Sequence, residues 1–220
     1  MKIYFITIPL SLALAGGGLL FYLRSQMAFG DQPLVGNAPK HPVSEVMRQL
    51  AEQEKNKIAP EFLLSDLEGK KWTRKEIQGG MPTFFYFVQA GCPCSIDVEP
   101  LFHALHKHLG GKVKFVPIID SEPEKAKVWA QQNAVTYPML CSPDASAMRA
   151  YKATQSVYST LVDGDGKIIK QWPGYSQRLL TDMNATMSKL AGIQSKPFDS
   201  AYAPKEDSSG CAFALPADER

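Results

Sequence analysis

The chain has 220 residues, 45% hydrophobic and 10% aromatic, enough to bury one ordinary core but not two large ones. Its 24 basic and 22 acidic residues leave a formal charge of +2, and no Lys/Arg cluster is dense enough to mark a phosphate-binding surface, so nucleic acid is excluded as a partner. The four cysteines, at 92, 94, 141 and 211, are too few for a disulfide-stapled miniprotein and lack the paired spacing of a structural zinc site, so neither a metal nor another cofactor is expected.

Residues 1–24 read as an uncleaved membrane anchor. Lys2 precedes an uncharged run from Ile3 to Leu23, long enough as a helix to cross a hydrocarbon core of ~30 Å. A cleaved signal peptide is the rival reading, but the run exceeds the roughly 7 to 15 apolar residues of a signal core. Either way the rest of the chain is expected outside the cytoplasm, periplasmic or extracellular, where cysteines point to redox chemistry. Residues 25–57 form a linker: an aperiodic Gly/Pro/Asn-containing tether, then Val43, Val46, Met47 and Leu50 at helical spacing, which predict a short amphipathic helix from Val43 to Lys55.

From 58 to 193 the pattern is that of one α/β domain. Phe62, Leu64 and Leu67 around Glu68-Gly69 suit a β-hairpin, and Thr83 to Val88 (TFFYFV) has the composition of a strand buried on both faces. The pattern then predicts a helix over Ser95–Leu109, a strand over 112–119, a helix over 122–133, a short strand over 137–140 and a helix over 145–151. A hairpin from Tyr158 to Gln171 turns at Gly164-Asp165-Gly166, and a helix over 179–190 closes the domain. Strands alternating with helices and ending in a hairpin give a mixed sheet flanked by helices. The tail, 194–220, is rich in Ser, Pro, Ala, Asp and Lys and is expected to be flexible.

The chemistry concentrates at Cys92-Pro93-Cys94, between the buried strand and the next helix. A cysteine at a helix N-terminus meets unpaired N–H groups and the positive end of the dipole, both of which favour thiolate. Cys92 holds that place, and Pro93 suits the first helical turn. Cys94 lies near enough to resolve a mixed disulfide, if the backbone accepts a strained ring. Cys141 and Cys211 are further candidates for a resolving thiol, the first after a predicted strand and the second able to swing in on the tail. His103, His106 and His108 share a helix with the cysteines and would offer metal ligands, although a solvated or half-buried helix face accounts for them.

Four segments, APEFLLSDLEGKKWT, GGMPTFFYFVQAGCPCS, YPMLCSPD and STLVDGDGKIIKQWPGY, resemble in order and spacing the landmarks of the redoxin family. That family comprises the alkyl hydroperoxide reductase/thiol-specific antioxidant branch and its membrane-anchored thioredoxin-like relatives. The resemblance, over about 58–193, implies a thioredoxin fold with the reactive cysteine at Cys92 and Cys94 as its second candidate; Ser95, which falls where a CxxC motif would carry its second cysteine, is a candidate support for the thiolate. Two departures stand out: Val157 occupies the place of the relatives' cis-proline and of the arginine that peroxidases keep there, and Gln89-Ala90-Gly91 replaces the peroxidases' hydroxyl residue. The expected function is therefore thiol-disulfide exchange with exported protein thiols or disulfides, supplied by an upstream thiol reductant. A thiol peroxidase and a non-enzymatic Cu(I)-binding chaperone are the alternatives.

Overall fold

The computed structural model describes residues 41–214. The apolar run 3–23 lies outside them, as do the rest of the segment before His41 and residues 215–220; among the described residues no helix is long and apolar enough to cross a membrane.

Strand β1 (His41–Pro42) leads into helix α1 (Glu45–Gln53), shorter at both ends than its periodicity suggests. Ser44 sets the start, because its hydroxyl accepts the Met47 N–H and caps the helix there. Strands β2 (Leu63–Asp66) and β3 (Lys71–Thr73) form the expected hairpin. Asp66 closes its turn by accepting the Glu68 and Lys70 N–H groups at 3.0 and 2.9 Å and the Trp72 indole N–H at 2.8 Å. Helix α2 (Arg74–Gln78) is too short to show an apolar period, although Thr73 and Glu76 spell the capping box that opens it.

Strand β4 (Thr83–Val88), helix α3 (Pro93–His108), strand β5 (Lys114–Ile119) and helix α4 (Pro123–Gln132) follow as read from the sequence within two residues at each end. The short strand falls later than expected, at β6 (Leu140–Cys141), before helix α5 (Ser146–Ala150). Strands β7 (Ser159–Val162) and β8 (Ile168–Trp172), helix α6 (Gln177–Leu190) and strand β9 (Ser208–Ser209) complete the fold.

Seven strands form one sheet in the order β3-β2-β6-β5-β4-β7-β8, with β4, β5 and β6 parallel and the remaining pairs antiparallel. Alternation along β4 divides the core between its faces. Phe84, Tyr86 and Val88 pack with Leu101, Phe102 and Leu105 of α3 and Leu180 and Met183 of α6, whereas Phe85 and Phe87 meet Met148, Tyr151 and Tyr158. This is the thioredoxin-like α/β fold, with β4 inside the sheet between β5 and β7 and the Cys-Pro-Cys segment following its C-terminal end.

Within the described part of the tail, residues 194–214, the structure departs from the sequence-based expectation of flexibility. β9 pairs antiparallel with β1, and Tyr175 and Ser208 exchange two backbone hydrogen bonds, at 2.8 and 3.0 Å. Phe213 is only 2% exposed and joins the cluster of Phe85 and Phe87. Burying such a side chain contributes roughly 1.5–3 kcal/mol. A polar composition misleads here because one aromatic anchor and backbone pairing suffice to order the segment.

Candidate active site

All six side chains of β4 are buried, so the strand delivers its C-terminal end to one place. Gly91, at φ +82°, reverses the chain through a conformation that L side chains rarely adopt. The Cys92 N–H donates to the Gln89 carbonyl at 3.1 Å, and the Ala90 N–H donates to Asp120 at 2.7 Å, which ties the loop to the end of β5. Cys92 is then the N-cap of α3, with Pro93 in the first turn. Its carbonyl accepts the Ser95 N–H at 3.1 Å, while its thiol is left to face other partners.

Those partners form a ring of donors. Cys211 Sγ lies 3.0 Å from Cys92 Sγ, and the Cys211 backbone N–H and the Ser156 hydroxyl both donate to Cys92 Sγ at 3.2 Å. The Cys94 thiol donates as well, and it is the strongest influence holding the Cys92 thiol far below its ordinary value, down to about 3, against the opposing effect of burial. The same bond, with burial behind it, pushes Cys94 up so that it stays protonated. Cys92 is thus a thiolate among donors at the positive end of a helix. It is only 1% exposed, because the tail lies over it.

Ser156 reaches Cys92 through an unusual backbone. Val157, next in the chain, has φ +63°, a left-handed conformation that costs a β-branched residue about 1–3 kcal/mol. The cost is met by pairing with β4, since the Val157 N–H donates to the Phe87 carbonyl and the Phe87 N–H to the Tyr158 carbonyl, both at 2.9 Å. Val157 stands where the resemblance implies a cis-proline, and no peptide bond among the described residues is cis.

Three carboxyls surround the thiolate or lie behind it. Burial first, and the Cys92 charge second, raise Asp97; burial is the main cause that raises Asp120 to about 6. Glu99, on the inner face of α3, is pushed up to about 7 by burial. It accepts the Tyr86 hydroxyl at 2.7 Å and the Tyr137 hydroxyl at 2.5 Å. These groups were not among the sequence-derived candidates. A signal existed for Glu99, which falls four residues after Ser95 and three before Phe102, on the buried stripe of the helix.

Of the predicted site residues, Cys92, Cys94 and Cys211 come together. Ser95 is buried beside them, but its hydroxyl accepts the Gln89 N–H at 3.3 Å and so braces the loop; Ser156 provides the hydroxyl donor to Cys92 instead. Cys141 sits on β6, where it lines a separate hollow of about 240 Å³ with Glu122, Ser142 and Asp144, and burial pushes its thiol up to about 11. His103 and His106 pack against Tyr137, the first tilted with its ring centroid 6.1 Å away and the second edge-on at 4.9 Å. Among the described residues no group of three or more His, Cys, Asp or Glu side chains is arranged to hold a metal.

A mixed sheet whose central strand presents a cysteine at the N-terminus of the following helix defines a thioredoxin-like thiol protein. Comparison with known families makes this specific: the AhpC/TSA family model matches residues 56–194, and the chain belongs to that family. It is 27% identical over 143 residues to the thiol-disulfide oxidoreductase ResA of a Bacillus cereus strain, covering 59% of this chain and 82% of the relative. The protein of the same name from Bacillus anthracis is 28% identical over 126 residues, covering 55% and 72% of the two chains. Among solved structures, a thiol-disulfide oxidoreductase from Bacteroides fragilis NCTC 9343 superposes with a TM-score of 0.53 at 15% identity, covering 59% of this chain and 98% of that one.

Proposed function

We propose that the chain is a thiol-disulfide oxidoreductase that exchanges disulfides with exported proteins through Cys92 of its Cys-Pro-Cys motif. One observation carries this reading: Cys92 is the N-cap residue of α3, and its sulfur is held as a thiolate by two thiols, a hydroxyl and a backbone amide. Disulfide exchange requires an attacking thiolate and a second thiol to release the mixed disulfide, and both kinds of sulfur are within this cluster. The names of the relatives agree with the chemistry. Peroxide reduction draws less support, because the donors around Cys92 include no arginine to carry developing oxyanion charge. The exported location rests on the apolar run 3–23, which would anchor the domain outside the cytoplasm, and an upstream thiol reductant would return the oxidised site to the dithiol state.

The test is turnover of a disulfide-bonded protein substrate by the full-length chain. Wild type should catalyse exchange, Cys92→Ser should abolish it, and Cys141→Ser should leave it unchanged. Rapid consumption of hydrogen peroxide by wild type without exchange activity would replace this reading with the peroxidase.

A further inference from the structure

The tail that covers Cys92 is seated by a built interface. The Gly210 N–H donates to the Ser156 carbonyl and the Ser156 N–H to the Cys211 carbonyl, both at 2.9 Å; the Phe213 N–H donates to the Thr154 carbonyl at 3.0 Å. Residues 210–213 therefore lie antiparallel along 154–156, with Gln155 bridging Ala212. Both flanks are pinned. Phe213 is buried in the core, and Asp207 accepts the Ser176 hydroxyl at 2.7 Å and pairs with Arg48 and Arg178. Two glycines permit the close approach. A Cβ on Gly210 would overlap Ser156 Oγ, and one on Gly174 would overlap the Ser208 carbonyl oxygen. This seat sets the Cys211 sulfur 3.0 Å from that of Cys92.

The contacts along 154–156 are backbone hydrogen bonds, which any extended segment can make. A protein disulfide that reaches Cys92 must displace the tail from this edge, and the tail then competes to return. We propose that Cys211 is the resolving thiol of the exchange, delivered to Cys92 by the returning tail strand, while Cys94 serves as a hydrogen-bond donor. This assignment rests on the reading of Cys92 as the nucleophile.

The Cys92 thiolate attacks one sulfur of the substrate disulfide, whose S–S bond breaks and releases the first substrate thiolate. Cys211 gives up its proton, and its thiolate attacks Cys92 Sγ in the mixed disulfide. That bond breaks, the second substrate thiolate leaves and takes up a proton, and a Cys92–Cys211 disulfide remains. The substrate disulfide gains two electrons and the two cysteines lose them, so no other oxidant is needed. Cys94 is less suited to this step: its thiol reaches Cys92 as a hydrogen-bond donor, but closing a bond between two cysteines separated only by Pro93 would strain the ring and open the first turn of α3. The ionisation of Cys211 is also timed. In the resting site burial first, and the neighbouring Cys92 second, push its thiol up to about 11; once Cys92 is in a mixed disulfide its charge is gone and that restraint is lifted.

The experiment is peptide mapping by mass spectrometry, without reduction, of the full-length chain after reaction with a disulfide-bonded protein substrate. Wild type should carry a Cys92–Cys211 cross-link, and so should Cys94→Ser. Cys211→Ser should lose turnover and accumulate the substrate joined to Cys92. Gly210→Val, which crowds the strand off Ser156 while keeping the thiol, should slow the cross-link with the circular dichroism spectrum unchanged. A Cys92–Cys94 cross-link in wild type, or full turnover of Cys211→Ser with no trapped species, would overturn the assignment and leave Cys92 as nucleophile. Exchange by Cys92→Ser at the wild-type rate would overturn the parent reading as well.

Discussion

Replacing Cys94 separates the two roles open to it, donor to Cys92 and resolving thiol. Cys94→Ala deletes the interaction that does most to hold Cys92 as a thiolate, whereas Cys94→Ser keeps a donor in the same place. A hydrogen bond to a charged group contributes about 1.5–3 kcal/mol, and about 1.36 kcal/mol corresponds to one pH unit, so Cys94→Ala should raise the Cys92 midpoint by about one to two pH units. The Ser156 hydroxyl and the Cys211 thiol and amide remain, which keeps the midpoint below the ~8.5 of a free cysteine. Cys94→Ser should stay near wild type. The assay is the rate of iodoacetamide alkylation against pH, read at the Cys92 peptide by mass spectrometry. Stability follows the same linkage. A depressed thiol pKa stabilises the fold fully above the unfolded value and loses that contribution as pH falls through the folded one, so the loss should begin near the free-cysteine value in both chains but be smaller in total and complete at a higher pH in Cys94→Ala. Equal midpoints in wild type and Cys94→Ala, or a wild-type midpoint at or above ~8.5, would refute the donor role.

Glu99 carries the opposite sign. Its carboxyl is raised from 4.5 to about 7, so the folded chain holds this proton more tightly than the unfolded chain does. That contribution is fully present below the unfolded value and fades as pH rises through about 7, a difference of up to about 3 kcal/mol. Glu99→Gln, which keeps an acceptor for Tyr86 and Tyr137, should flatten the decline when denaturant midpoints are compared across pH; an unchanged slope would remove Glu99 as its source. For the anchor, the full-length chain should stay in the membrane pellet on alkaline carbonate extraction, and recovery of a soluble chain beginning near Gly16 or Asp31 would identify a cleaved leader instead.

What could be read from the sequence was what depends on local periodicity and on types of residue at a junction. The run TFFYFV marked a sheet-interior strand because six consecutive apolar or β-branched side chains suit a strand buried on both faces, and the cysteine after it marked a candidate site because a helix follows at once. Ser156 and Val157 gave no such signal: their role depends on a left-handed backbone residue held by pairing to Phe87, far away along the chain. The tail was hidden for a related reason. Its polar composition argues against a core, yet its hold on the domain comes from main-chain bonds, one aromatic anchor and the missing Cβ atoms of Gly174 and Gly210. Cys92 and the polar tail are thereby one structural unit. Cys92 is covered while the tail is seated, and the covering strand is held by main-chain bonds, the buried Phe213 and a glycine beside the cysteine.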